Sequence, residues 1–237
     1  MYLKIAYIAL SVLMTIILLV IGFKAIMKSV DDAKLVQKKK ITLITGLILW
    51  QVYVYGIAYS GLLTNFDFPP RFFIFLILPL FIFTGIFIFR NRKKAWITEI
   101  PENWLIVYQS FRIIVESIFV ASVAQGVLNK EVTIEGYNFD MIFAYTAPVI
   151  AFLLFKKIAS RKLVIYWNYA GLVVISSIIF LFLSSIFYPQ LFGSETMILP
   201  EAVIKYPYVL VAGFLMPSAV FIHVLSIVQL SRKRKLE

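Results

Sequence analysis

Gln109, Arg112 and Glu116 stand at i, i+3 and i+7 within one apolar run, a spacing that places all three on one face of a helix. Charged side chains inside a bilayer are costly, so they turn toward a bundle interior and find partners there. In such a place an arginine attracts an anionic group, and a glutamate or histidine handles a proton. The same residues also make structural glue, an ion pair and amides tying helices together at about 1 kcal/mol per bond. Counted from the basic flank of the run, Arg112 lies roughly 12 Å deep and Glu116 roughly 18 Å. On other runs His223 falls about 10 Å deep, Gln51 about 15 Å and Asn168 about 8 Å. Depth matching therefore predicts one substrate-binding or pathway site formed by Gln51, Gln109, Arg112, Glu116, Asn168 and His223, with Thr146 at its margin.

His223 is the single histidine and the chain has no cysteine. One imidazole makes a poor haem or zinc site, and no metal ligand set or cofactor is expected. A packing role with hydrogen bonds fits His223 better than proton carriage. Asp140 opens a later apolar run and reads as an outer-surface residue that caps its helix through backbone N–H groups. Signatures of hydrolases, zinc proteases and nucleotide-binding loops are missing, so no catalytic residue is assigned and an enzyme is the less favoured class. Retinal chemistry fails too, because the last apolar run has no lysine at its middle.

These residues need helices that cross a membrane to position them. Of 237 residues 62% are hydrophobic and 15% charged, with a mean hydropathy of +0.92. A soluble domain carries about a quarter charged residues. Runs of about 20 apolar residues predict spans at 5–27, 41–63, 72–89, 104–128, 141–155, 163–186 and 206–230. The fold class is thus an all-α membrane protein, a seven-transmembrane-helix bundle forming a single membrane domain over 1–237. Apolar character on all sides of each run excludes a β-barrel. Val132-Thr133-Ile134 suggests a small hairpin, and the stretch after Pro200 a short interfacial helix. Pro79, Pro148 and Pro217 predict kinks, and Pro79 and Pro217 form a slender correspondence between the third and seventh spans. The first run is read as a retained span rather than a signal peptide.

Orientation follows from the basic residues. Seventeen of 23 Lys and Arg fall in the loops after the first, third and fifth spans and in the tail; only four fall at the N-terminus and in the alternate loops. That places the N-terminus outside and the C-terminus in the cytoplasm. The net charge of +11 then reads as attraction to anionic lipid headgroups at the cytoplasmic face, not as nucleic-acid binding.

Pro101-Glu102-Asn103-Trp104-Leu105-Ile106 with Gln109 and Arg112, then Asp140 with Ala147-Pro148, Trp167 to Leu172, and Pro217 leading to His223-Val224-Leu225, resemble a group of uncharacterised bacterial integral membrane proteins over about residues 101–230. The group has no settled activity, so the resemblance implies a fold and a bacterial inner membrane, and it supports Gln109, Arg112, Asp140, Asn168 and His223 as a set. The chain departs from the group's pattern at Val115-Glu116 and Asn138-Phe139, which reads Glu116 as a local counter-ion for Arg112. Small-solute or ion transport is the leading expectation. A non-catalytic sensor, assembly or partner-binding subunit is the alternative, and an enzyme acting on lipid or quinone comes third.

Overall fold

Caps and prolines in the sequence explain where each helix starts, stops and bends. The computed structural model describes residues 1–234; Lys235 to Glu237, which end the basic tail, lie outside the described residues. No strand occurs among the described residues, and the segment expected to form a hairpin is a 3₁₀ turn, Lys130–Val132. Six helical spans are long and apolar enough to cross a membrane: Tyr2–Ser29, Ala33–Tyr59, Phe73–Asn91, Glu102–Val123, Arg161–Phe187 and Val211–Lys233. A seventh apolar helix, Asp140–Phe155, is shorter.

The first two helices are α1 (Tyr2–Ser29) and α2 (Ala33–Tyr59). The second starts earlier than hydropathy predicts because the Asp32 carboxylate accepts the Lys34 N–H and caps it. It stops before the predicted end, near Gly61, whose φ of 74° is left-handed. The third span is a π-helical turn, Phe73–Ile77, running into α3 (Leu78–Asn91). A short α4 (Trp96–Glu99) lies across the base, held by Gln229, whose Nε2 donates to the carbonyls of Ile97 and Ile100 at 2.7 Å each.

The fourth span is not one uniform helix. It consists of α5 (Glu102–Tyr108) and α6 (Phe111–Val123), joined through Gln109 and Ser110 by i→i−3 hydrogen bonds that tighten the helix locally. Residues 124–128, expected to be helical, instead turn back at Gly126 with φ 66°. Then come α7 (Asp140–Phe155), α8 (Arg161–Phe187) and, after a second π-helical turn at Val211–Leu215, α9 (Met216–Arg234). The stretch after Pro200 forms a 3₁₀ helix, Glu201–Ile204.

The α9 span is the most buried, packing on α8, α5, α3 and α4. Against it stand α5, α7 and α8, whose ends meet in a small core of Ile106, Leu154, Val164 and Leu230. By contrast α2 is peripheral, with Val54 its one buried residue.

Proline explains both π-helical turns and the docking of α2. A helical proline lacks the N–H that would bond the carbonyl four residues earlier. Pro79 thereby frees the Phe75 carbonyl, and the Tyr53 hydroxyl donates to it at 3.0 Å. Pro217 frees the Gly213 carbonyl, and the Trp50 indole N–H donates to it at 2.7 Å. Gly213 also lets α2 come close, since a Cβ there would meet Val54 at 3.1 Å. The correspondence between Pro79 and Pro217 is thus one local design used twice: a π-helical turn, a proline two residues past it, and an aromatic donor from α2.

Candidate functional site

The tightened turn at Gln109 and Ser110 sets the facing of everything on α6. Gln109 is fully buried and its Nε2 donates to the Ala219 carbonyl on α9 at 3.0 Å, which ties α5 to α9. One turn on, the Arg112 guanidinium is 3% exposed and faces α7 and α9 together. Its Nε donates to Asp140 Oδ2 at 2.9 Å and its Nη2 to Asp140 Oδ1, a bidentate pairing. Nη1 reaches His223 Nε2 at 3.3 Å, and the guanidinium carbon lies 5.1 Å from the Phe143 ring centroid.

That geometry fixes the tautomer of His223. Guanidinium has no acceptor, so Nε2 must accept and Nδ1 must carry the hydrogen. The Nδ1–H accordingly donates to Asn168 Oδ1 at 2.9 Å. Asn168 in turn donates from Nδ2 to the Val164 carbonyl at 2.8 Å and to Ser226 Oγ at 3.2 Å. Phe143 and Trp167 stack beside the imidazole at a centroid distance of 4.9 Å. Gly171 leaves the only room the ring has on that side, because a Cβ there would overlap His223.

Asp140 is buried at 5% exposure, and its carboxylate receives Arg112 of α6 rather than capping its own helix. The physical reason lies in the preceding segment. Residues 124–139 are part-buried, with Lys130, Glu135 and Tyr137 exposed but Asn138 1% exposed, and Asn138 accepts the Asp140 N–H at 3.0 Å through Oδ1. Non-helical backbone at membrane depth survives where protein buries it and satisfies its polar groups. Asn138 Nδ2 also donates to Glu116 Oε1 at 2.8 Å. Asp140 makes the direct ion pair with Arg112, while Glu116, one turn further along α6, bonds Asn138 and acts on Arg112 by charge alone.

The other Glu116 oxygen, Oε2, is buried and has no hydrogen-bond partner. Glu116 lines a cavity of about 120 Å³. Arg112 and Asp140 reach the same end, and the rest of the wall is mainly apolar, from Val115 and Phe119 on α6 to Ile175 and Ile179 on α8 and Leu215 before α9. Tyr7 also lines the cavity, its hydroxyl paired with Ser122 Oγ at 2.8 Å.

Arg112, Glu116, Asn168 and His223 do meet, with Gln109 on the adjoining turn. Gln51 does not join them; it lies on peripheral α2, with its Nε2 buried and unpartnered. Thr146 turns away from the cluster and accepts the Trp167 indole N–H at 2.8 Å. Sequence reasoning missed Asn138 and Ser226, and it missed the cavity. One signal was available for Asn138: a polar Asn-Phe-Asp run ahead of an apolar stretch too short to span suggests that the chain before it enters the bundle. Comparisons with protein-family profiles, with curated proteins and with solved structures return no match to this chain.

Proposed function

We propose that the protein is a seven-span inner-membrane protein of a bacterium, N-terminus outside and C-terminus cytoplasmic, that binds and moves a small molecule at the Glu116 end of its cavity. The basic loops support the orientation and the resemblance over 101–230 supports the host membrane. One observation carries the functional reading: Glu116 Oε2 is a buried carboxyl oxygen without a hydrogen-bond partner, on a residue that lines a mainly apolar cavity. A buried unsatisfied polar atom costs about 1–3 kcal/mol, and a ligand that satisfies it recovers that loss. Arg112 serves a different end, since Asp140 and His223 already engage its guanidinium. Catalysis is the less favoured reading because the other charged groups at that end, Arg112 and Asp140, are already paired with each other.

The test is flux in proteoliposomes across protons, small organic cations and small anions. Wild-type protein should pass at least one of these, and Glu116→Leu should lower that flux about tenfold, the effect of losing one hydrogen bond. Wild-type vesicles no leakier than empty ones across the whole panel would end the transport reading.

A second reading, a partner-binding subunit, draws on α2, whose contact with the bundle buries one residue only. It predicts a stoichiometric protein crosslinked through a photoreactive residue at Leu49 or Val52, both exposed on that helix. Crosslinks to lipid alone count against it.

A further inference from the structure

The α2 helix has two opposite faces, each a line of residues spaced by three and four. Val36, Leu43, Leu47, Trp50, Val54 and Ile57 are all at least part-buried, and they turn toward the bundle. Lys34, Lys38, Ile41, Thr45, Ile48 and Val52 form the other line, and every one of them is exposed. The lysines of the α1–α2 hairpin divide in the same way. Toward the bundle, Lys24 lies over the Trp104 ring of α5 at 5.0 Å, Lys28 pairs with Glu99 of α4 at 3.8 Å and Lys40 lies over Phe23 at 5.4 Å. On the outer line, Lys34 and Lys38 have no carboxylate partner among the described residues. Asp32, close by in sequence, caps the helix instead by accepting the Lys34 N–H. Like charges at i and i+4 repel, so this pair calls for an anion from outside. Directly beyond it the line is apolar: Ile41, Ile48 and Val52 are 54%, 55% and 60% exposed. From Ile41 to Val52 the helix rises about 16 Å, the depth of one leaflet of a hydrocarbon core about 30 Å thick.

We propose that the outer face of α2 binds one anionic phospholipid, its phosphate between Lys34 and Lys38 and an acyl chain along Ile41, Ile48 and Val52. The order of the line selects this occupant: two unneutralised cations, then an exposed apolar strip as long as a leaflet is deep. A zwitterionic headgroup fits less well, because its ammonium group would meet the same two lysines. None of these residues lines the cavity, so the proposal stands apart from Glu116 and from any transport there. It competes with a protein partner for the same face.

Native mass spectrometry of the purified protein in a non-ionic detergent tests this with phosphatidylglycerol and phosphatidylethanolamine carrying identical palmitoyl chains. Each lysine beside an anionic headgroup is worth about fivefold, so the wild type should bind phosphatidylglycerol about twentyfold tighter than phosphatidylethanolamine. Lys34→Gln with Lys38→Gln should abolish that preference. Lys93→Gln with Lys94→Gln removes the same charge from another loop and should keep it. All four lysines are exposed, and Lys28, Lys39 and Lys40 remain on the first loop to hold the orientation. A dihexanoyl phosphatidylglycerol, too short to follow the strip, should bind at least tenfold more weakly than the dipalmitoyl lipid. Equal binding of the two headgroups by the wild type, or equal loss in the two double variants, overturns the headgroup site. Equal binding of the short and long lipids overturns the chain contact. Displacement of the lipid by glycerol phosphate assigns the lysines to a free anion, and a protein subunit retained in place of lipid assigns the face to a partner; either result overturns the proposal.

Discussion

Arg112 is held by groups from two other helices, and its neighbours differ in what they can lose. Removing one partner of a buried ion pair leaves an uncompensated charge and costs about 3–5 kcal/mol, whereas replacing both with apolar residues is often near neutral. Asp140→Leu alone should therefore destabilise the protein by about that much, while Arg112→Met with Asp140→Leu should recover most of the loss. Denaturant titration in mixed micelles measures it; additive losses would show that the two side chains do not act as a pair. The imidazole beside them offers a sharper check, because His223 is the single histidine and gives one unambiguous nitrogen spectrum. Its Nδ1 should carry the hydrogen and its Nε2 the lone pair, since Arg112 can only donate. A spectrum of the opposite tautomer removes the Arg112 contact. Gly171→Ala, which puts a methyl group where the ring lies, should shift that spectrum and cost about 1–3 kcal/mol by overpacking.

At the scale of elements, two prolines and two aromatic residues decide how α2 sits on the bundle. Trp50→Phe removes the donor to the Gly213 carbonyl and should cost about 1 kcal/mol. Pro217→Ala returns an N–H to the helix, which then satisfies the same carbonyl internally, so Trp50→Phe in that background should cost less than half as much. A cost unchanged by Pro217→Ala would mean that Trp50 matters only for packing. Hydropathy and charge made the helices readable, because lipid demands long apolar runs and loops collect Lys and Arg. They could not show that Pro79 and Pro217 sit beside π-helical turns, since a proline marks a missing N–H without saying how the chain re-pairs. Depth counting brought Arg112, Asn168 and His223 to one level correctly because all three lie on regular helices. It failed for Gln51, because depth carries no information on which side of a bundle a helix stands.

For the whole molecule, the open question is whether α7 crosses. At 1.5 Å per residue its 16 residues extend about 24 Å, short of a hydrocarbon core of about 30 Å. A crossing by α7 would therefore draw on the adjoining residues 124–139, of which Val132, Thr133 and Asn138 are buried while Lys130, Glu135 and Tyr137 are exposed. Charge supports this, because without α7 as a span the basic turn at 156–162 would share a side with the loop around Lys130, and the alternation of basic loops would break there. The chain has no cysteine, so single replacements report position without interference. Tyr137 and Ile158, 59% and 70% exposed, flank α7 and tolerate substitution without disturbing the core. In intact cells an impermeant maleimide should label Tyr137→Cys, and it should reach Ile158→Cys only after the membrane is opened. Labelling of both from outside would leave six crossings and put the C-terminus on the N-terminal side. It would also make the Arg112–Asp140 pair the anchor of a helix that enters the membrane and returns, in which case Asp140→Leu should release α7 to the surface instead of weakening the bundle as a whole.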